Sequence, residues 1–225
     1  MPIVDMPLEQ LRAYRGINPR PADFDAYWEE SLAEMRAIDP QISLEEADFC
    51  APGLIARHLY FTGAHGARIH CKLLRPETIA SPAPALLNFH GYTGGCPSWM
   101  QLAAYAYAGF VVAALDCRGQ GGYSEDVGGV KGTTLFGHII RGLDDPDPKK
   151  LLFRDVFLDA AQMAGIVMAM SEVDERRVGA FGGSQGGGLT LACAALEPRI
   201  VCAAPTYPFL SDYQRIWEMD LADNA

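Results

Sequence analysis

The sequence predicts an α/β fold, a mostly parallel sheet with helices on both faces, and three observations lead to it. The continuous apolar run at 110–115 (Phe-Val-Val-Ala-Ala-Leu) suits a strand covered on both sides. A helical stretch at 99–108 separates it from an earlier apolar strand at 85–89, and this β-α-β unit implies parallel pairing. A short buried strand at 177–181 then runs through Gly182-Gly183-Ser184-Gln185-Gly186-Gly187-Gly188 into an alanine- and leucine-rich helix at 189–196.

With 225 residues, 49% hydrophobic and 20% charged, the chain reads as one domain spanning 1–225, of which 1–45 form an N-terminal arm and helix. A formal net charge of −10 argues against nucleic acid or an anionic membrane as partner, since both need a positive face. A neutral or cationic small molecule is the easier fit. No apolar run approaches membrane-spanning length, and Met1-Pro2-Ile3-Val4-Asp5 lacks the basic-then-apolar pattern of a secretion signal, so a cytoplasmic location is expected. Cys50, Cys71, Cys96, Cys117, Cys193 and Cys202 form no C-x-x-C pair; they are read as reduced thiols, with neither a zinc site nor a disulfide framework.

Taken in order, residues 1–22 carry Pro2, Pro7, Pro19 and Pro21 and read as an extended arm with at most a short helix at 8–14. Phe24, Tyr27, Trp28, Leu32 and Met35 fall on one face of a helix at 23–37. Two strands, 57–62 and 68–75, pair antiparallel across Gly63-Ala64-His65-Gly66. The spacing of His58, His65 and His70 fits no metal motif, and they are read as incidental to the hairpin. Strand 85–89 leads into the glycine-rich loop His90-Gly91-Tyr92-Thr93-Gly94-Gly95, and strand 110–115 into Asp116-Cys117-Arg118-Gly119-Gln120-Gly121-Gly122. Tyr92, Cys96 and Trp99 could line a pocket, although packing is the commoner role near a helix start. Residues 124–150, rich in glycine, aspartate and proline, form a long irregular segment suited to a functional loop or a subunit contact; His138 lies in it with no obvious partner. A long helix at 151–173 precedes the Ser184 strand; a strand at 200–204 and a helix at 210–222 follow it.

G-x-S-x-G between a strand and a helix is a nucleophile elbow: the turn is tight enough to strain the serine, and only glycine fits beside it at 182 and 186. The helix that follows aims free N–H groups and its positive dipole end where an ester carbonyl oxygen would become negative. Ser184 is therefore the candidate nucleophile, with the backbone N–H groups of Gln185 and Tyr92 as first and second oxyanion donors. Two nucleotide-binding patterns fail, because Ser184 stands where G-x-G-x-x-G needs glycine and no Lys-Ser or Lys-Thr completes a P-loop. A purely structural glycine turn is the remaining alternative. Asp116 is read as a partner for Arg118 or a turn cap in preference to a triad acid.

Five blocks in order carry a resemblance: Asn18-Pro19-Arg20-Pro21-Ala22-Asp23-Phe24-Asp25-Ala26-Tyr27-Trp28; Phe89-His90-Gly91-Tyr92; Arg118-Gly119-Gln120-Gly121; Gly137-His138-Ile139-Ile140-Arg141-Gly142; and Gly182-Gly183-Ser184-Gln185-Gly186-Gly187. On these the sequence resembles the acetyl xylan esterase and cephalosporin-C deacetylase family of carbohydrate esterases. The resemblance implies an α/β-hydrolase fold and removal of acetyl groups from small acetylated sugars and cephalosporin-type acetates. It implies no cofactor, no metal, and a homo-oligomer, a ring-shaped hexamer. It also assigns Arg118, Gly119 and Gln120 to a loop that braces the elbow.

One departure stands out. The order in α/β-hydrolases is Ser, then Asp or Glu, then His, yet all five histidines of this sequence precede Ser184. Asp212, Asp220 and Asp223 follow the serine but sit on or beside the last helical stretch. His90 could substitute geometrically, though its place at a strand end suits loop anchoring better. The triad Asp and His are thus not in the sequence, and an incomplete portion of a longer esterase, cut short at the carboxyl end of its sheet, is expected over a natural short form. The rival reading is a non-catalytic relative with a binding or assembly role.

Overall fold

The computed structural model describes residues 6–126, 139–209 and 211. Seven strands form one sheet in the order β1 (Ser43–Glu46), β2 (Leu54–Thr62), β3 (Arg68–Pro76), β5 (Val111–Leu115), β4 (Ala83–Phe89), β6 (Val173–Gly183) and β7 (Cys202–Thr206). The pairings from β1 to β5 are antiparallel and those from β5 to β7 parallel, so β2, β4, β5, β6 and β7 run the same way. The carboxyl ends of β4, β5 and β6 therefore open on one edge, where a parallel sheet offers its binding loops.

Helices cover both faces. On one side lies α3 (Trp99–Tyr107), opened by a capping box in which Ser98 and Gln101 satisfy each other's backbone N–H groups. Its Leu102, Ala103 and Ala106 bury against Ala56, Leu74, Val112 and Ala114. On the other side α4 (Leu152–Met168) and α5 (Gln185–Leu196) place Val156, Met163, Val167, Leu189 and Cys193 against Leu87, Ala113 and Leu115. Every residue of β5 is buried, as its unbroken apolar run requires.

The helical stripe near the amino end forms α2 (Phe24–Arg36), which follows the short α1 (Leu8–Ala13). Met35 of α2 is buried with Leu158, Ala161 and Leu196, Trp28 and Leu32 pack beside it, and Phe24 stays exposed. A polar contact that periodicity does not show reinforces the docking: buried Ser31 Oγ donates to the Tyr27 carbonyl at 2.7 Å and accepts from Arg154 Nε at 3.1 Å. Arg154 also pairs with Glu34.

Several boundaries differ from expectation. The charged edge strand β1 was not foreseen; Glu45 and Glu46 carry no apolar signal, and they are held by Arg68 at 2.8 Å and Arg57 at 2.6 Å. The last helical turn before β6 ends at Met168, five residues short of expectation, and β7 starts at Cys202. The helix after Ser184 begins at Gln185 instead of 189: Gly186, Gly187 and Gly188 have poor helix propensity, but close approach of neighbouring backbone requires glycine at 186 and 187. The expected helix at 210–222, apart from residue 211, and His138 lie outside the described residues.

Candidate active site

Ser184 occupies the turn between β6 and α5 with φ 56° and ψ −120°, a left-handed conformation that a serine adopts only when its surroundings impose it. The surroundings are identifiable. A Cβ on Gly182 would stand 2.5 Å from the Gly186 carbonyl oxygen and 2.6 Å from that of Phe89, and one on Gly186 would overlap the Phe89 carbonyl outright. The serine's own peptide is pinned as well: its N–H donates to the Thr206 carbonyl at 3.0 Å, and its carbonyl accepts from Phe209 N at 2.9 Å and Gly188 N at 3.1 Å. No side chain caps α5, so its first N–H groups and positive dipole end remain directed at the serine. Ser184 itself is partly exposed.

The loop after β4 abuts this turn. The Phe89 and His90 carbonyls approach Gly186, and a Cβ on Gly91 would stand 3.9 Å from the Gly183 carbonyl oxygen, so the start of the loop that carries half-buried Tyr92 lies against the elbow. Thr93, also at positive φ (66°), donates its N–H to Gln120 Oε1 at 2.9 Å. Gln120 and Gln185, both fully buried, pair their amides reciprocally: Gln120 Nε2 to Gln185 Oε1 at 2.9 Å and Gln185 Nε2 to Gln120 Oε1 at 3.2 Å. One amide pair thus fixes the Tyr92 loop to the first residue of α5. Gly119, at φ 69°, supplies the left-handed residue that turns Gln120 inward, and Gly121 N–H closes the loops on Gly94 O at 2.9 Å.

Arg118 departs from expectation, and Asp116 keeps to one of its two expected roles, the turn cap. Arg118 is fully buried but its carboxylate partner is Asp159 of α4, gripped bidentately with both N···O distances 2.7 Å, and its third contact is the Ala64 carbonyl. Asp116 does cap its turn, accepting from Cys96 N at 2.5 Å and Tyr123 N at 2.8 Å, and it pairs with His70, whose Nδ1 lies 2.6 Å away. His70 Nε2 in turn meets His58 Nδ1 at 2.7 Å, so these histidines are not incidental to the hairpin. Burial alone would raise the Asp116 carboxyl, but the hydrogen bond from His70 and those from the turn hold it well below the usual carboxylate range. Asp159, 41 residues beyond Arg118, and the His70 pairing escaped sequence reading because contacts across the sheet leave no periodic trace.

His90 anchors the loop. Its Nε2 accepts from Cys117 N–H at 3.0 Å and its Nδ1 lies 2.7 Å from the Gly91 carbonyl, which sets the neutral Nδ1–H tautomer and occupies both nitrogens. Burial lowers its pKa to match. Among the described residues no side chain is hydrogen-bonded to Ser184 Oγ. Trp99 stacks on Phe49 with centroids 5.8 Å apart, and Cys96 Sγ lies 2.9 Å from the Ala114 carbonyl, so both pack.

One described group, His70, Cys96 and Asp116, brings three metal-ligating atoms within 4.8 Å of one another. They do not fit an ion: both His70 ring nitrogens are engaged, by Asp116 and by His58, Asp116 already accepts three hydrogen bonds, and burial pushes the Cys96 thiol well above its ordinary value, disfavouring the thiolate a metal needs. All six cysteines are free thiols.

Comparison with known proteins follows the same elements. The family model for acetyl xylan esterase (AXE1) matches residues 1–225. The chain belongs to the acetyl xylan esterase family. It is 58% identical to acetyl xylan esterase 1 from Thermoanaerobacterium sp. JW/SL YS485, whose crystal structure superimposes with a TM-score of 0.92 over 98% of this chain and 69% of that one. An acetyl xylan esterase from Paenibacillus sp. R4 is 31% identical with a TM-score of 0.87, covering 96% of this chain and 68% of that one. The acetyl esterase Axe7A of Xylanibacter ruminicola is 27% identical over 209 residues, 91% of this chain, and the chain spans 46% of that protein's length. With the elbow, the parallel carboxyl half of the sheet and these matches, the fold is that of the α/β-hydrolases.

Proposed function

We propose that this member of the acetyl xylan esterase family hydrolyses acetyl esters through a serine nucleophile, Ser184, with the backbone N–H groups of Tyr92 and Gln185 as oxyanion donors. The observation that carries the reading is the imposed backbone of Ser184, φ 56° and ψ −120°, at the head of an uncapped helix. Ser184 Oγ, its proton taken by a base outside the described residues, attacks the acetyl carbonyl and forms a tetrahedral oxyanion. The sugar alcohol leaves with the returned proton, and water then releases acetate from the serine. Each oxyanion donor is worth about 3 kcal/mol in such transition states. Gln120, turned inward by Gly119, holds the two donor segments in register, and Arg118 ties their bracing loop to α4.

The reading extends to small acetylated xylo-oligosaccharides and cephalosporin-type acetates as substrates and to a hexameric ring, both supported by the family resemblance. A cytoplasmic location is supported by six free thiols. The test uses protein expressed from its complete reading frame and compares initial rates on acetyl and butyryl esters, with and without Ser184→Ala. Preference for acetyl and a loss of at least about 10³-fold in the variant are expected. Acetyl hydrolysis that survives Ser184→Ala overturns the reading.

A further inference from the structure

Tyr207 is the most exposed of the large apolar side chains among the described residues, at 77%, and it is one of the non-glycine residues held at positive φ (33°). Exposed aromatic rings usually ride on relaxed backbone, and strain of this kind persists only where neighbours over-determine it. Here the neighbours are the nucleophile's own peptide groups. Thr206, immediately before Tyr207, accepts the Ser184 N–H at 3.0 Å, and Phe209, two residues after it, donates to the Ser184 carbonyl at 2.9 Å. Pro208, between them, stands 2.9 Å from where a Gly187 Cβ would be. Tyr207 is therefore bracketed by bonds to the elbow. Its ring lies against the elbow's flank, with Oη, Cε2 and Cζ between 3.4 and 3.6 Å from the position a Gly183 Cβ would take.

We propose that Tyr207 is a substrate-contact residue whose ring stacks on the sugar of the acetylated substrate and so selects carbohydrate acetates over other acetyl esters; this rests on the esterase reading above. A pyranose presents a face of C–H groups with hydroxyls at its rim, and a phenol ring matches it with an apolar face and a polar tip. The absence of a side chain at Gly183 leaves the ring room against the residue that precedes the serine. A neutral sugar also suits a chain of net charge −10, which repels anionic esters.

The test measures kcat/KM on an acetylated xylose and on ethyl acetate, whose leaving group has no ring. Tyr207→Asn removes the ring while tolerating the positive φ, and Tyr207→Phe keeps the ring. About tenfold loss on the sugar acetate, expressed in KM, with ethyl acetate unchanged and Tyr207→Phe close to wild type, is expected. Equal loss on both substrates, or no loss on either, overturns the proposal. Ethyl acetate serves as the internal measure of folding and of the elbow itself. A wild-type protein that hydrolyses neither ester, or one whose activity survives Ser184→Ala, defeats the esterase reading instead and is told apart by that pattern.

Discussion

At the scale of single residues, the elbow is a matter of van der Waals room. A methyl at 186 runs into the Phe89 carbonyl, whereas one at 183 meets only the movable edge of the Tyr207 ring at 3.4 Å or more. Gly186→Ala is thus expected to lose 3 kcal/mol or more, at or beyond the upper end of the roughly 1–3 kcal/mol of ordinary overpacking, and Gly183→Ala less than about 1 kcal/mol. Urea unfolding of the two variants side by side checks the contrast. Ser184 was legible in the sequence because the two glycines that its turn requires, Gly182 and Gly186, lie within two residues of it. The partner of Arg118 was not: Asp159 arrives from α4, 41 residues later, and a bidentate ion pair of two fully buried groups has no signature in spacing. Asp159→Asn breaks the bidentate grip but leaves buried Arg118 the more distant Asp155 carboxylate, 3.8 Å from its Nη1, so it is expected to cost up to about 3 kcal/mol, below the roughly 3–5 kcal/mol of a charge left wholly unpaired, read as a lowered denaturation midpoint.

At the scale of elements, the helices and central strands follow from patterns that the chain shows openly. The stripe of α2 and the solid apolar run of β5 are each local and periodic, and both form where expected. The bounds of α5 and the existence of β1 were not legible, because helix propensity disfavours three successive glycines and a Ser-Leu-Glu-Glu strand owes its place to Arg57 and Arg68 on its neighbours. The loops are joined by the Gln120–Gln185 amide pair and by Gln120 to Thr93 N–H. Gln120→Ala strands a buried amide and a backbone donor, at about 1–3 kcal/mol for an unsatisfied group. Its expected result is a fall in kcat on acetyl esters that exceeds the change in KM, since the loop it holds carries the proposed oxyanion donor Tyr92. A variant with unaltered kcat would show that the Tyr92 loop is held by other contacts.

At the scale of the whole molecule, stability on acidification is expected to fall in two stages. Burial lowers the pKa of His90 and of His58 in the folded chain, so both stay neutral there while the unfolded chain takes up protons below about pH 6.5. Their contribution is complete above that value and is lost as pH falls through it. Asp116, held ionised by His70 and its turn, contributes fully above about pH 3.9 and loses that contribution as pH falls towards its lowered folded value. Urea midpoints measured from pH 8 to 3 should show both stages, with the first reduced in His90→Asn and the second in Asp116→Asn. A midpoint constant from pH 7 to 5 contradicts the neutral assignment of His90. His58, His90 and Asp116 come from β2 and the ends of β4 and β5, and His70, which holds Asp116, from β3, so only the assembled sheet puts them together.

The most direct test of the central assignment is to treat the protein, expressed from its complete reading frame, with a fluorophosphonate and to locate the adduct by peptide mass spectrometry. One adduct on the peptide containing Ser184, absent from Ser184→Ala, is the expected result. An adduct on a different serine, or an unlabelled Ser184 in a protein that still hydrolyses acetyl esters, contradicts it.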